Sequence, residues 1–352
     1  MDPKFKHLSA LSTLPGTPGH EHQIKAYIES EIKGDVDDLL YDHLGSVIGK
    51  KGTQGPRIMI AGHMDEVGLL VTQITKEGFV KFQTLGGWFS QVMLAQVWDI
   101  HTPDKVITAV TGVKPPHIIP VEKRSEAIPI DQMFLDIGVT SKEEALKLGV
   151  SPGQMITPHQ QFQVIGDGKH LLSKAWDNRI GSCVVLEVLK RLKNHPNQLY
   201  GTFTVQEEVG LRGAKTASYV VRPDIAIAID TGIANDVPHG DPLDQSLGKG
   251  PQIFLYDSGL VAHQALRRFV VDVAKEHKIP YQECFVARGS TDAGQMHLSH
   301  IGAPSIAIGI PTRYMHSHTS MIHYNDYENA IRLLLAVIEK LDQNTVDGLI
   351  FD

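Results

Sequence analysis

Cysteine is nearly absent: 352 residues include two, Cys183 and Cys284. They form neither a CxxC pair nor a disulfide framework, which fits a reducing compartment and leaves them as small buried hydrophobes. No apolar run approaches the ~20 residues that a membrane span requires. The opening MDPKFKHLSALSTLPG has no apolar signal core, so the expected location is the cytoplasm. A basic excess is missing too: 33 Lys+Arg against 40 Asp+Glu leave a net charge of −7. That balance argues against a nucleic-acid partner, which calls for a basic face. Repeats and low-complexity tracts are likewise missing, and 42% hydrophobic residues with 32 Gly and 19 Pro exclude collagen-like, coiled-coil and disordered chains. What is present is length for about two domains at ~150 residues each. Composition leaves 18 histidines unexplained.

Along the chain, Thr17-Pro18-Gly19-His20-Glu21 reads as a helix start, with Thr17 as N-cap and Pro18 at the first helical position. Ile24, Tyr27, Ile28 and Ile32 follow at helical spacing, and the helix is expected to end near Gly34. The apolar run at 58–61 leads straight into a polar cluster, as a strand leads into a functional loop. Between about residues 68 and 165 the texture changes to short β-type runs broken by Gly, Pro and Asp, with one short helix at 141–148. Such closely spaced strands predict a small barrel or sandwich. Beyond it, helices are predicted over 177–192, 261–277 and 327–341, and buried strands over 202–205, 225–229 and 305–310. The fold class is therefore α/β: a mixed β-sheet flanked by helices, with a small β module inserted.

Five motifs stand where predicted strands end or loops begin: Gly62-His63-Met64-Asp65, Trp176-Asp177-Asn178, Gln206-Glu207-Glu208-Val209-Gly210, Ala228-Ile229-Asp230-Thr231-Gly232 and Arg313-Tyr314-Met315-His316-Ser317. Taken singly, each His or Asp is equally a cap, a turn residue or a solvated side chain. Jointly they supply the imidazoles and carboxylates that zinc, cobalt or manganese accept. Five ligands with one carboxylate shared would give each of two ions three protein ligands and leave the open position that hydrolysis needs. Adjacent Glu207 and Glu208 repel unless a cation neutralises at least one. In a regular strand they would face opposite ways, so the strand must end or twist there for both to serve one site. One then ligates and the other is free to act as general base. In His63-x-Asp65 both residues lie on one side of an extended segment, so Asp65 can accept a hydrogen bond from the ring nitrogen of His63 that is off the metal.

The set AGHMDEVG, AWDNRIG, QEEVG, AIDTG and TRYMHS resembles the glutamyl aminopeptidase and deblocking aminopeptidase family of dinuclear metallopeptidases, whose self-compartmentalised members are tetrahedral aminopeptidases. The resemblance extends to GGWFSQVMLAQ and to GSTDAGQMH at 289–297. It implies that His63, Asp177 and Asp230 bind one metal ion, and that Glu208 and His316 bind the other with Asp177 bridging. It makes Glu207 the general base and Asp65 the orienter of His63. It also implies a zinc-peptidase-type catalytic domain over 1–67 plus 163–352, interrupted at 68–162 by a β-barrel that serves oligomerisation or as a lid. The implied activity is removal of N-terminal amino acids from peptides with a free N-terminus, by a water activated between two divalent ions, zinc foremost and cobalt or manganese as alternatives. The implied assembly is a homo-oligomer, up to a tetrahedral dodecamer. A related carboxypeptidase or N-acyl amino acid deacylase would use much the same ligands, and some members carry an endoglucanase label.

Several residues keep two readings. His318 competes with His316 as the ligand, since either ring can bind through one nitrogen. Thr291, Asp292 and Gly294 are either a pocket border or a plain turn, and Arg288 either meets an acidic substrate or is solvated. Trp88 and Phe89 after Gly86-Gly87 are either barrel core or an oligomer contact. His7, His20, His101, His195 and His277 are expected at the surface or at helix ends.

Overall fold

The computed structural model describes residues 2–238, 240 and 245–350. Two helices, α1 (Lys6–Thr13) and α2 (His22–Ile32), precede the strands β1 (Asp38–Tyr41), β2 (Val47–Lys51) and β3 (Arg57–His63). A second group follows: β4 (Gly68–Ile74), β5 (Val80–Leu85), β6 (Val97–His101), β7 (Val106–Thr111), β8 (Leu135–Asp136), α3 (Lys142–Lys147) and β9 (Met155–Pro158). The chain then returns through β10 (Gln163–Ile165), β11 (His170–Ser173), α4 (Trp176–Arg191), β12 (Gln198–Thr204), α5 (Arg212–Val221) and β13 (Ile225–Ile233). It finishes with β14 (Gln252–Asp257), β15 (Leu260–Val261), α6 (Gln264–Glu276), β16 (Gln282–Phe285), α7 (Ala293–Met296), β17 (Ser305–Arg313), β18 (Ser320–His323), α8 (Tyr324–Lys340) and α9 (Gln343–Ile350).

Among the described residues the strands form one twelve-stranded mixed sheet, with order β1-β2-β12-β3-β13-β17-β18-β11-β10 and β14 to β16 branching from β17, and one closed barrel, β4-β5-β8-β7-β6-β9. β12, β3, β13 and β17 run parallel. Parallel strands are covered on both faces and read as near-continuous apolar runs. In β3, Ile58 and Ile60 face a core shared with α1, α2, α4, α6 and α8, while Met59 and Ala61 face a smaller core with α5 and α7. The barrel has its own core, built on Leu69, Val71, Trp98, Ile100 and Ile156. Burying each such side chain contributes about 1.5–3 kcal/mol, which is why three separate cores hold.

Strands β12, β13 and β17 and helix α8 each extend three or four residues beyond the expected bounds at one end, and two helix starts differ from expectation. Thr17 and Pro18 do not open α2; Thr17 is buried and His20 N–H closes a turn on its carbonyl at 2.8 Å, and the helix starts at His22. The segment is held instead by tertiary contacts: Glu66 N–H donates to the Gly16 carbonyl at 3.0 Å. Val261 belongs to the short strand β15, and α6 begins at Gln264, capped by the His263 ring. Trp88 and Phe89 part company. The Trp88 ring packs 5.2 Å from Trp98 and its Nε1 donates to the Gly68 carbonyl, whereas Phe89 is exposed. His101 lies within β6, bonded to Thr157 at 2.9 Å, rather than at the surface or a helix end.

Candidate active site

Because β12, β3, β13 and β17 are parallel, their carboxyl ends share one edge of the sheet, where open α/β folds form their ligand crevices. His63 is the last residue of β3 and pairs with Thr204, the last of β12. Glu207 and Glu208 follow three and four residues later, after Gln206 turns the chain through a left-handed φ of 56°. Asp230 lies in β13 opposite Gly309. Arg313 ends β17 and is clamped to Asp236 through Nε at 2.9 Å and Nη2 at 2.6 Å, so the chain leaves in a fixed direction towards His316. Asp177 is the second residue of α4, where it and Asn178 depart from helical dihedrals. The Asn178 side chain bonds the Ile229 carbonyl and accepts Gly181 N–H, tying this turn to the strand that carries Asp230. Ala175, Gln206, Tyr314 and His316 all have left-handed φ, a conformation that costs about 1–3 kcal/mol and persists only where the surroundings enforce it.

The five side chains converge on two triads. His63 Nε2 lies 3.4 Å from Asp177 Oδ1 and 4.0 Å from Asp230 Oδ1. His316 Nε2 lies 3.3 Å from Asp177 Oδ2 and 3.7 Å from Glu208 Oε1. The two oxygens of Asp177 thus face opposite triads. Glu207 Oε2 stands 3.6 Å from His63 Nε2. His63 Nε2 and Glu208 Oε1 are buried and make no hydrogen bond. Buried polar atoms without partners are costly, and imidazole nitrogen with carboxylate oxygen is the donor set of zinc, cobalt and manganese. Each triad keeps its candidate ligand atoms within 4.8 Å of one another, so the residues fit divalent ions. Together they line a cleft of about 570 Å³.

The surrounding contacts hold these groups in place. His63 Nδ1 meets the backbone carbonyl of Asp65 at 3.1 Å, closer than its carboxylate at 3.5 Å. The Asp65 carboxylate instead accepts Glu207 N–H on Oδ1 and Glu208 N–H on Oδ2, both at 3.0 Å. His316 Nδ1 meets the Gly87 carbonyl at 2.7 Å, a contact across 229 residues that brings a barrel turn to the site. No pattern of local residues foretells it, because a backbone carbonyl does the orienting. A Cβ on Gly86, whose φ is +81°, would come 2.8 Å from Glu208 Oε2 and 2.6 Å from Val67. Gly86→Ala is therefore expected to lower kcat/KM by about tenfold or more, since a left-handed alanine costs ~1–2 kcal/mol before the clash. Steady-state kinetics beside a melting curve will separate this from unfolding.

Residues 45–333 match the family of M42 glutamyl aminopeptidases. The chain belongs to this family. It is 35% identical to the glutamyl aminopeptidase of Lactococcus lactis subsp. cremoris, over 97% of this chain and 98% of that protein. A TET aminopeptidase from a marine sediment archaeon of the Thaumarchaeota superposes with a TM-score of 0.96 at 43% identity, covering 99% and 100% of the two chains. The Pyrococcus horikoshii TET1 peptidase, which can assemble into a tetrahedron or a large octahedral shell, gives 0.87 at 33%, covering 96% and 99%. The protein is accordingly an aminopeptidase, a hydrolase of peptide bonds.

Charge in this M42 site is concentrated on buried groups. Burial pushes Glu208 up to about 7 against the help of His316, and pushes Glu207 and Asp230 well above the usual carboxylate range, with Glu208 and Asp177 respectively adding repulsion. Burial opposes charge on Asp177 too, but the His316 and His63 imidazoles on either side of it outweigh burial and hold that carboxyl far below its ordinary value. Conversely, burial works against the imidazolium forms, yet Asp177 and Glu208 raise His316 to about 10, and Glu207 with Asp177 raises His63. Such a crowd of carboxylates around two imidazoles is short of positive charge.

The two-way residues now have places. His318 stands apart, its ring 4.2 Å from Trp98 and 5.6 Å from Trp88, and burial lowers it to about 4. Thr291 lines the cleft, bonded through its hydroxyl to Asp257 at 2.8 Å. Asp292 is buried and accepts the Thr204 hydroxyl at 2.5 Å, beneath the end of β12. Arg288 lines the mouth of the cleft, exposed. Cys183 and Cys284 are both free and buried.

Proposed function

We propose that the protein is a metal-dependent aminopeptidase with two divalent ions per subunit, zinc foremost and cobalt or manganese as alternatives. One is held by His63, Asp177 and Asp230 and the other by Asp177, Glu208 and His316. The observation that carries this reading is the pair of triads sharing Asp177, drawn from five separate segments of the chain. Bound there, divalent ions supply Lewis-acid polarisation of the scissile carbonyl and acidification of a water. Glu207, buried beside His63, takes the proton of the attacking water and passes it to the leaving amine. Asp65 keeps Glu207 and Glu208 side by side by holding both backbone N–H groups. The free α-amine of a peptide would sit near the paired metal sites, which limits cleavage to the first residue.

The carboxylates and imidazoles serve one another in this reading, whereas a glycosidase needs only a carboxylate pair and leaves both histidines without a role. The barrel, through Gly87, joins the site and serves assembly; a homo-oligomer, up to a tetrahedral dodecamer, and a cytoplasmic location complete the proposal. Among the described residues no helix is long and apolar enough to cross a membrane.

The test is a panel of aminoacyl p-nitroanilides with free and N-acetylated amines, alongside N-acyl amino acids and C-terminal substrates. Cleavage restricted to free amines supports the reading. Equal cleavage of blocked substrates, or release of C-terminal residues, assigns the site to a deacylase or carboxypeptidase. Asp177→Asn is expected to reduce the metal bound per chain by more than half, read by elemental analysis, because the shared carboxylate serves both triads.

A further inference from the structure

Three consecutive backbone N–H groups after β12 end on carboxylates. Glu207 and Glu208 donate to Asp65, as described, and Gln206 N–H donates to Glu21 Oε1 at 3.1 Å, across 185 residues. The same Glu21 oxygen accepts Gly19 N–H at 2.8 Å. Glu21 occupies the N-cap position of α2 yet makes no capping bond to that helix, and it is only 6% exposed. A buried carboxylate at a helix start normally meets the free N–H groups of its own first turn; this one reaches instead to the turn that aims Glu207 and Glu208. That turn needs enforcement, because Gln206 is a non-glycine residue at φ 56°. A further hold comes from Arg212, whose Nη1 donates to the Gln206 side chain at 3.2 Å.

The geometry points to Glu21 as a positioning residue of the active site, one that fixes the Gln206 turn so that Glu207 faces the substrate and Glu208 its triad. It touches neither substrate nor metal and acts through the backbone. Two carboxylates from different segments, Glu21 and Asp65, thus grip three successive residues of the catalytic loop. This inference rests on the proposed roles of Glu207 and Glu208.

Glu21→Ala and Glu21→Gln in the full-length protein test it, with zinc affinity, kcat and KM, and melting temperature measured for each beside wild type. Gln retains an acceptor oxygen for the Gly19 and Gln206 N–H groups; Ala does not. Glu21→Ala is expected to lose about ten- to a hundredfold in kcat or in affinity for the more weakly held zinc ion, the range for losing a group that orients a ligand. KM should stay within about threefold, and Glu21→Gln should restore both losses to within a few-fold of wild type. Wild-type kcat and zinc affinity in Glu21→Ala overturn the inference. So does Glu21→Gln as impaired as Glu21→Ala, or loss of fold in both variants, which would make Glu21 an element of stability alone. If wild type binds zinc but lacks aminopeptidase activity, the functional reading fails on its own; the affinity comparison still decides the role of Glu21.

Discussion

Glu207→Gln is expected to lower kcat by about 10²–10⁴-fold while leaving the metal content and the fold unchanged. General acid–base catalysis contributes an acceleration of that size, and an amide of the same shape can neither take nor return a proton. Glu207 Oε2 lies as near to His63 as the carboxylates of the proposed triads do, at 3.6 Å against 3.4 Å for Asp177. The variant therefore separates a base from a ligand: retained metal with lost turnover makes Glu207 the base, and metal lost in step with activity makes it a ligand. Burial and the neighbouring Glu208 and Asp230 keep this carboxyl proton-avid, which suits a group that must hold a proton between two steps.

Glu66→Ala is expected to destabilise the protein by about 3–5 kcal/mol, the usual result of removing one partner from a buried ionic cluster. Lys174 Nζ sits 2.5 and 2.6 Å from the two Glu66 oxygens and Arg179 Nη2 lies 3.3 Å from one of them, all nearly inaccessible to water. Arg179 also bonds the carbonyls of Leu11, Leu14 and Gly16, and Gly16 N–H donates to Glu66. Removing the carboxylate strands two cations whose burial already weakens their hold on a proton. The loss should appear as a lower denaturation midpoint at unchanged slope. Replacing Glu66 and Lys174 together by leucine should cost less than the sum of the two single changes, since the pair shares one interaction. The cluster lies between the segment of His63 and Asp65 and the segment of Asp177, so catalysis should fall as well.

Which parts of this architecture could be read from the residues follows from how each works. His63, Glu207, Glu208, Asp230 and His316 stand where a β-type apolar run gives way to polar residues, and Asp177 where a helix starts, so local pattern is enough to single them out. The alternation of a parallel core with a strand-rich block was legible for the same reason, since period and turn residues are local properties. The supports were not. Gly87 orients His316 through a carbonyl that every residue possesses, and the Asp65 carboxylate faces backbone N–H groups 142 and 143 residues away rather than its neighbour His63. Thr17-Pro18 has the residues of a helix start, but the buried contacts of that segment with Glu66 outweigh local propensity. His316 and His318 are two residues apart, and only tertiary contacts tell them apart: His316 meets Asp177 and Glu208, whereas His318 packs against Trp88 and Trp98.

The central claim, hydrolysis that depends on two divalent ions held by triads sharing Asp177, is tested most directly by metal titration. Protein stripped with a chelator is titrated with zinc, cobalt or manganese while bound metal per chain and release of p-nitroaniline from a free aminoacyl substrate are followed together. The account predicts no measurable turnover in the stripped protein, two ions bound per chain at saturation, and activity that returns as the second site fills. Full activity in protein free of metal, or saturation at two ions with no aminopeptidase activity, would contradict it.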